Sequence, residues 1–292
     1  MPPPTMRHGK MPAPRDPTIF LALDNAALGN DVTHQKTSET VRNMFSDAGI
    51  GPDSTVIVHS AFRALGTAGH RAEDFAECLL AALGGGTLLM PAMTWRTVTP
   101  EQPVFDELSS ASHTGVLAEV FRAHHATARS LHPTHSTAAA GRDAAAMVAG
   151  HHLGTTPCPP ESPFGRLADA DAHILLLGCN FERCTAIHCA EETYAPDLYL
   201  RPLDETVIYD CRDRQGVVHK VRARRHWRLE RDFNQFAPIL KELGKLAEGD
   251  ADGTPWQCFR ARVLRDVLEA AFRDTPEATI RAASRTGVKV WR

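Results

Sequence analysis

The feature that most constrains the fold is a strand, helix, strand unit in the first third of the chain. Thr55-Val56-Ile57-Val58 is a β-branched run that ends in His59-Ser60. Ala72 to Leu83 follows with helical character and stops at Gly84-Gly85-Gly86, after which Thr87-Leu88-Leu89-Met90-Pro91 is a second apolar strand. Two strands joined through a helix pair in parallel by a right-handed crossover. A third apolar strand, Ile174 to Gly178, joins the sheet, and Glu205 to Tyr209 with Val217 to Arg222 reads as a hairpin around Arg214-Gln215-Gly216. The predicted class is α/β, a mixed-sheet α/β sandwich.

The remaining pattern fills in around this frame. Helices are predicted over Thr37 to Ala48, Thr114 to His124, Ala140 to Val148, Phe233 to Leu243 and Phe259 to Ala271. Ala61 to Gly66, Pro100 to Ser112 and Gly249 to Pro255 read as loops, and Arg129 to Thr137 as a polar connection. Residues 1–17 are proline-rich with little apolar pattern, so a disordered tail is expected there. Residues 18–292 are expected to form a single domain with a helical C-terminus.

Composition narrows the function. A net charge of −3 lacks the basic face of nucleic-acid binders. No apolar run is long enough for a membrane span, and the N-terminus lacks a signal-peptide core. Seven cysteines, an odd number, suggest reduced thiols and a cytoplasmic setting. Cys179, Cys184 and Cys189 are five residues apart, without the paired Cys-x-x-Cys spacing of zinc sites. The histidine pairs His124-His125 and His151-His152 leave a metal-dependent hydrolase conceivable, but no His-x-x-x-His with a carboxylate base is present. No metal is expected.

Chemistry concentrates in three polar segments beside strands, His59 to Gly66, Arg129 to Ser136 and Thr185 to Glu191. Ligands in open α/β sheets bind outside the carboxyl ends of strands. Thr185-Ala186-Ile187-His188-Cys189-Ala190-Glu191 follows the strand at Ile174 directly. His188 and Glu191 are three apart and can serve one site from a helix's first turn. His188 is the candidate base. Thr185 can steady an oxyanion or merely cap the helix. A Cys189–His188 nucleophile pair is disfavoured because adjacent side chains on a helix diverge.

Together these segments resemble the aminoglycoside 3-N-acetyltransferase family. The matching residues are Val58-His59-Ser60-Ala61-Phe62-Arg63-Ala64-Leu65-Gly66, Gly86 to Pro91, Phe105-Asp106, and Gly115 with Phe121-Arg122. Arg129-Ser130-Leu131-His132-Pro133-Thr134-His135-Ser136, Gly141, Ser162-Pro163, Leu175 to Gly178 and Thr185 to Glu191 continue the match, with His226, Arg231 and Phe233 as looser ones. The resemblance implies that family's own α/β sandwich, not the small GNAT fold. It implies an acetyl-coenzyme A dependent N-acetyltransferase acting on the 3-amino group of an aminoglycoside, with His188 as general base.

His59, Ser60, Ala61, Phe62, Arg63, Arg129, Ser130, His132 and Ser136 would then line the coenzyme channel. Arg63 and Arg129 are the candidates for phosphate. Asp106, Glu192 and Asp197, with Glu161 and Asp204, are the carboxylates expected near a cationic acceptor. The expected partners are a small-molecule amine and acetyl-CoA as cosubstrate, with no nucleic acid and no membrane; a homodimer is compatible with the sequence. Ala61 stands where the family usually has a second serine, and Thr254-Pro255-Trp256-Gln257-Cys258 is bulkier than the usual Val-Gly segment. These departures keep open a related coenzyme A dependent N-acyltransferase of secondary metabolism acting on a different amine; the presence of His188 argues against a catalytically silent binding protein of the same fold.

Overall fold

The computed structural model describes residues 17–281. The tail expected over residues 1–17 lies outside them except for Pro17, where α1 (Pro17–Asp47) begins. In chain order there follow β1 (Thr55–Ser60), α2 (Arg63–Thr67), α3 (Ala72–Leu83), β2 (Thr87–Pro91), β3 (Val104–Asp106), α4 (Val116–Val120), β4 (Ala128–Arg129) and β5 (Thr137–Gly141). Then come α5 (Ala144–Val148), α6 (Pro163–Asp169), β6 (His173–Leu177), α7 (Ile187–Tyr194), α8 (Pro196–Tyr199), β7 (Val207–Arg212) and β8 (Val218–Ala223). The described chain closes with α9 (Phe236–Glu242), β9 (Ala247–Ala251), β10 (Thr254–Arg260) and α10 (Ala261–Asp274).

The main sheet has seven strands in the order β4-β5-β2-β1-β6-β10-β9, and β3-β7-β8 form a smaller one. β1 is parallel to both β2 and β6, while β5 and β10 run antiparallel to their inner neighbours, so the sheet is mixed as expected. Alternate strand residues enter opposite faces. Ile57, Leu89, Ile174 and Leu176 pack into one core with α6, α7, α9 and α10. Val56, Val58, Leu88, Met90, Leu175 and Leu177 pack into another with α1, α3 and α4. The result is a three-layer sandwich in which the central strands meet apolar side chains on both faces.

Several elements differ from the expectation. α2 starts inside the segment read as a loop from Ala61. The segment read as a loop over Pro100 to Ser112 contributes β3, a short strand beside β7. Residues Thr137–Gly141 are a strand, so the helix read from Ala140 begins only at Ala144. Alanine has low strand propensity, but Ala138, Ala139 and Ala140 are clamped between β2 and β4, and pairing overrides propensity. Gly249 to Pro255 is the β9–β10 hairpin, turned by Asp252-Gly253 with φ +51° and +81°. The predicted Phe259 helix begins instead at Ala261, because Phe259 pairs with Ile174 in the sheet. α6 was not anticipated, although Ser162 caps it by accepting from Gly165 N at 3.1 Å and Pro163 opens it. No helix among the described residues is long and apolar enough to cross a membrane.

β1 lies between β2 on one side and β6 on the other, so the chain switches direction across the sheet at β1 and opens a crevice beyond the ends of β1 and β6. Gly178 leaves β6 there at φ +67°, and a Cβ on it would lie 2.6 Å from Ala61 O. Ala61 N in turn donates to Leu177 O at 2.8 Å. Gly178→Ala is therefore expected to cost roughly 2 kcal/mol or more, because a left-handed φ alone costs a residue with a Cβ about 1–2 kcal/mol. Urea denaturation measures this, and an unchanged midpoint would show that the crevice relaxes freely.

Candidate active site

The crevice is a cleft of about 910 Å³. The ends of β1 and β6, the loop after β2, the start of α7 and the segment after β8 all contribute to its lining. α7 carries the chemistry. Its N-cap is Ala186 with no side-chain cap, so Thr185 is not the helix cap; its side chain borders the cleft beside His188. His188 Nδ1 lies 2.7 Å from Glu191 Oε2, one turn on.

Glu191 is fully buried, and three groups hold it. Arg231 donates to Oε1 from Nε at 2.8 Å and to Oε2 from Nη2 at 3.0 Å, and Thr279 Oγ1 donates to Oε1 at 2.5 Å. Burial pushes its pKa up, but the opposing charges of His188 and Arg231 win and hold the carboxyl well below its ordinary range. An ionised Glu191 accepts from His188 Nδ1–H. That fixes the tautomer and leaves Nε2 as the basic nitrogen for the cleft.

His226 stacks on His188 with ring centroids 4.5 Å apart, and its Nε2 lies 2.8 Å from Glu192 Oε1. Glu192 also accepts from Cys158 N at 2.9 Å, and burial raises its pKa to about 7. From His226 a file of rings runs inward through His135 and His132 to His151. Burial keeps these four neutral, lowering His151 to about 3 and the others well below their usual value. His59, at the end of β1, is likewise buried and lowered to about 4.

The structure sorts the candidate residues. His188, Thr185, His59, Ser60 and Ala61 border the cleft, and Glu191 stands directly behind His188. Phe62 turns into the core against Phe75, and Arg63 lies on a separate shallow depression near Asp252. Arg129, Ser130, His132 and Ser136, expected along a coenzyme channel, do not border this cleft. All four are buried outside the cleft lining. Arg129 gives four of its five N–H donors to Ser136 Oγ and to the carbonyls of Glu107, Ser110 and Ala92, so it is spent mainly on the interior. Ser130 bonds Thr137 N and His151.

The carboxylates expected near a cationic acceptor likewise lie outside the cleft lining. Asp106 accepts from Leu108 N and Ser109 N in its own turn. Glu192 is buried behind His226, and Asp197 is 95% exposed beside Arg224. Glu161 and Asp204 are exposed, and neither borders the cleft. Arg231 and Thr279 were missed because their role is visible only once the chain folds back; Arg231 and His226 had surfaced as loose matches without a role.

Two alternative chemistries fit poorly. The ligand atoms of His188, Glu191 and His226 lie within 4.8 Å of one another, a spacing a metal could use. The Arg231 guanidinium already occupies both oxygens of Glu191, and its charge opposes a cation there. Among the cysteines, burial holds the Cys179 thiol, at the cleft edge, up at about 11 and raises Cys184 further, so neither supplies a thiolate near neutrality. Cys189 turns toward Cys158, away from the cleft.

The fold is thus an α/β sandwich with a carboxylate-backed histidine at a strand crevice. The chain belongs to the aminoglycoside 3-N-acetyltransferase family, whose profile matches residues 57–273. It is 33% identical to aminoglycoside N(3)-acetyltransferase IV of Salmonella, over 49% of this chain and 54% of that protein. It is 32% identical to aminoglycoside N(3)-acetyltransferase VII of Streptomyces paromomycinus, over 49% and 56%. These matches span about half the length of either relative. The solved apoenzyme of aminoglycoside acetyltransferase AAC(3)-IVa superposes with a TM-score of 0.65 at 25% identity, covering 86% of this chain and 93% of that one.

The buried histidines make a pH prediction. Each of His59, His132, His135, His151 and His226 has a folded pKa below its ordinary 6.5. The unfolded state therefore binds protons that the folded state refuses. Their stabilisation is complete above pH 6.5 and is lost on acidification, each costing up to about 1.4 kcal/mol per pH unit. Glu192, raised from 4.5 to about 7, acts oppositely and lowers stability as pH rises through that window. Five groups outweigh one, so the urea midpoint is expected to fall steeply from about pH 6.5 to about pH 5. A flat profile would show that these rings charge inside the fold.

Proposed function

We propose that this chain is an acetyl-coenzyme A dependent N-acetyltransferase in which His188 is the general base for direct attack of an amine on the thioester. The observation that carries this reading is the His188–Glu191–Arg231 arrangement at the cleft. Support comes from the family match and from the relatives' names. A fold neighbour, AAC-IIIb, is described as a binary complex with CoASH, and AAC(3)-IVa is described in complex with a gentamicin.

Acetyl-coenzyme A, when bound, supplies an activated acyl group. The chain's residues do the rest. His188 Nε2 takes a proton from the attacking nitrogen while the C–N bond forms, and Glu191 steadies the imidazolium. The oxyanion then collapses, the C–S bond breaks, and the proton passes to the departing sulfur. Thr185 stands beside His188 with a hydroxyl free of capping, and it is the proposed oxyanion donor. Ala61 N is committed to Leu177 O and takes no part. His59, Ser60 and Ala61 at the end of β1 are the proposed coenzyme contacts. The unpartnered, buried Nε2 of His59 is a donor or acceptor that such a ligand would satisfy.

The 3-amino group of an aminoglycoside is the acceptor suggested by the relatives' names. The charge of the cleft favours a second reading, the related N-acyltransferase with a different amine.

His188→Ala is expected to reduce thiol release from acetyl-coenzyme A by about 10²–10⁴-fold, the usual worth of a general base. Coenzyme binding, read by calorimetry, should stay within a factor of about two, because the base is not a phosphate ligand. Full activity in the variant would remove His188 from the mechanism.

A further inference from the structure

The cleft wall is cationic. Arg96, Arg183, Arg201, Arg225, Arg228 and Arg231 all border it, and the sole carboxylate among its lining residues is Glu182. Glu182 is already engaged, accepting from Phe233 N and Asn234 Nδ2 at 3.1 Å each. Arg231 is spent on Glu191, and Arg201 pairs with Glu205 at 2.8 Å. Among the described residues, no carboxylate oxygen lies within 4.0 Å of Arg96, Arg183, Arg225 or Arg228; Glu101 is near enough to Arg225 to feel its charge without forming an ion pair. Arg225 Nε is buried with no hydrogen-bond partner, and the ring nitrogens of His113, also on the cleft, are likewise unpartnered.

A polycation gains nothing from such a wall. Each of its ammonium groups needs an acceptor, and every carboxylate that the sequence offered for that task lies outside the lining. A shielded N–H without an acceptor, as at Arg225 Nε, is costly until one reaches it. We propose that the acceptor of this site is an amine that also carries an anionic group, a phosphate or a carboxylate, and that Arg225 and Arg228 receive that group. This rests on the acetyltransferase reading above.

Coenzyme A is itself anionic, but its charges sit elsewhere. The whole pantetheine arm separates the thioester from the pyrophosphate. Arg225 and Arg228 flank His226, whose ring stacks 4.5 Å from His188. Both line the cleft that His188 faces, and the test below fills the donor's phosphate sites before the acceptor is offered. The guanidinium fork matches both phosphate and carboxylate in two-point contact.

The test uses the full chain saturated with coenzyme A, so that donor phosphate sites are filled. Calorimetry compares glucosamine 6-phosphate with glucosamine, γ-aminobutyrate with 1-aminobutane, and gentamicin as the polycation. At least one anionic member is expected to bind tenfold or more tighter than its neutral-tailed partner, and the responding pair tells phosphate from carboxylate. Arg228→Gln, an exposed position, and Arg225→Gln should erase that preference while leaving the affinity for acetyl-coenzyme A within twofold. Gentamicin binding tighter than either anionic amine would overturn the inference and leave the acetyltransferase reading intact. So would absence of any preference, or variants that weaken acetyl-coenzyme A instead. Failure to bind acetyl-coenzyme A at all would overturn both.

Discussion

A buried carboxylate organises this molecule's site. Glu191 is fully shielded from solvent, and an ionised group in that position is tolerated only when its lone pairs are met. Its partners come from distant parts of the chain: His188 three residues away, Arg231 forty residues on, and Thr279 eighty-eight residues on. The C-terminal segment is held there by backbone as well, through Asp232 N to Thr279 O at 2.9 Å and the bridge between Arg231 and Ile280. Removing any partner would leave charge without compensation and free the imidazole to rotate. The arrangement that stabilises the fold locally is thus the one that selects which nitrogen of His188 meets the cleft.

The histidine file beneath the site has the opposite electrostatic character. His226, His135, His132 and His151 contact one another ring to ring without an ionised carboxylate strong enough to hold a proton on any of them, and burial together with mutual repulsion keeps them neutral. Glu192, beside His226, is itself pushed toward neutrality by burial. Of the stacked rings, only His188 sits against a carboxylate that stays charged.

What was legible in the sequence follows from how local each signal is. β1, β2 and β6 announce themselves because their runs are apolar on both faces. β3, β5 and β9 do not, because three residues, a row of alanines and an exposed Ala-Glu-Gly-Asp-Ala edge become strands only through a partner. His188 and Glu191 are readable because one helical turn joins them. Arg129 reads in sequence as a candidate for phosphate, and in the fold it is a buried cross-brace tying β4 to the segments around Ala92 and Ser110. Polarity in sequence does not distinguish a ligand-facing arginine from one that satisfies carbonyls in the interior. The cleft arginines escaped notice for the same reason, since Arg96, Arg183 and Arg225 come from three separate segments.

The cationic wall also bears on the chemistry. An amine attacks a thioester only in its neutral form, and most amines are protonated near neutrality. Nearby positive charge disfavours ammonium and lowers the amine's pKa. A wall of unpaired guanidinium groups beside His188 would hold the anionic end of an acceptor and, by the same field, ease loss of the proton at its nucleophilic end. An acidic wall does the reverse, binding ammonium tightly while raising its pKa and leaving more of the work to the base. Within one fold and one His–Glu pair, the sign of the wall therefore sets both which amines enter and how much deprotonation the histidine must perform. For this chain the cleft lining carries six arginines and one carboxylate, the sign that the proposed anionic amine would use for both binding and activation.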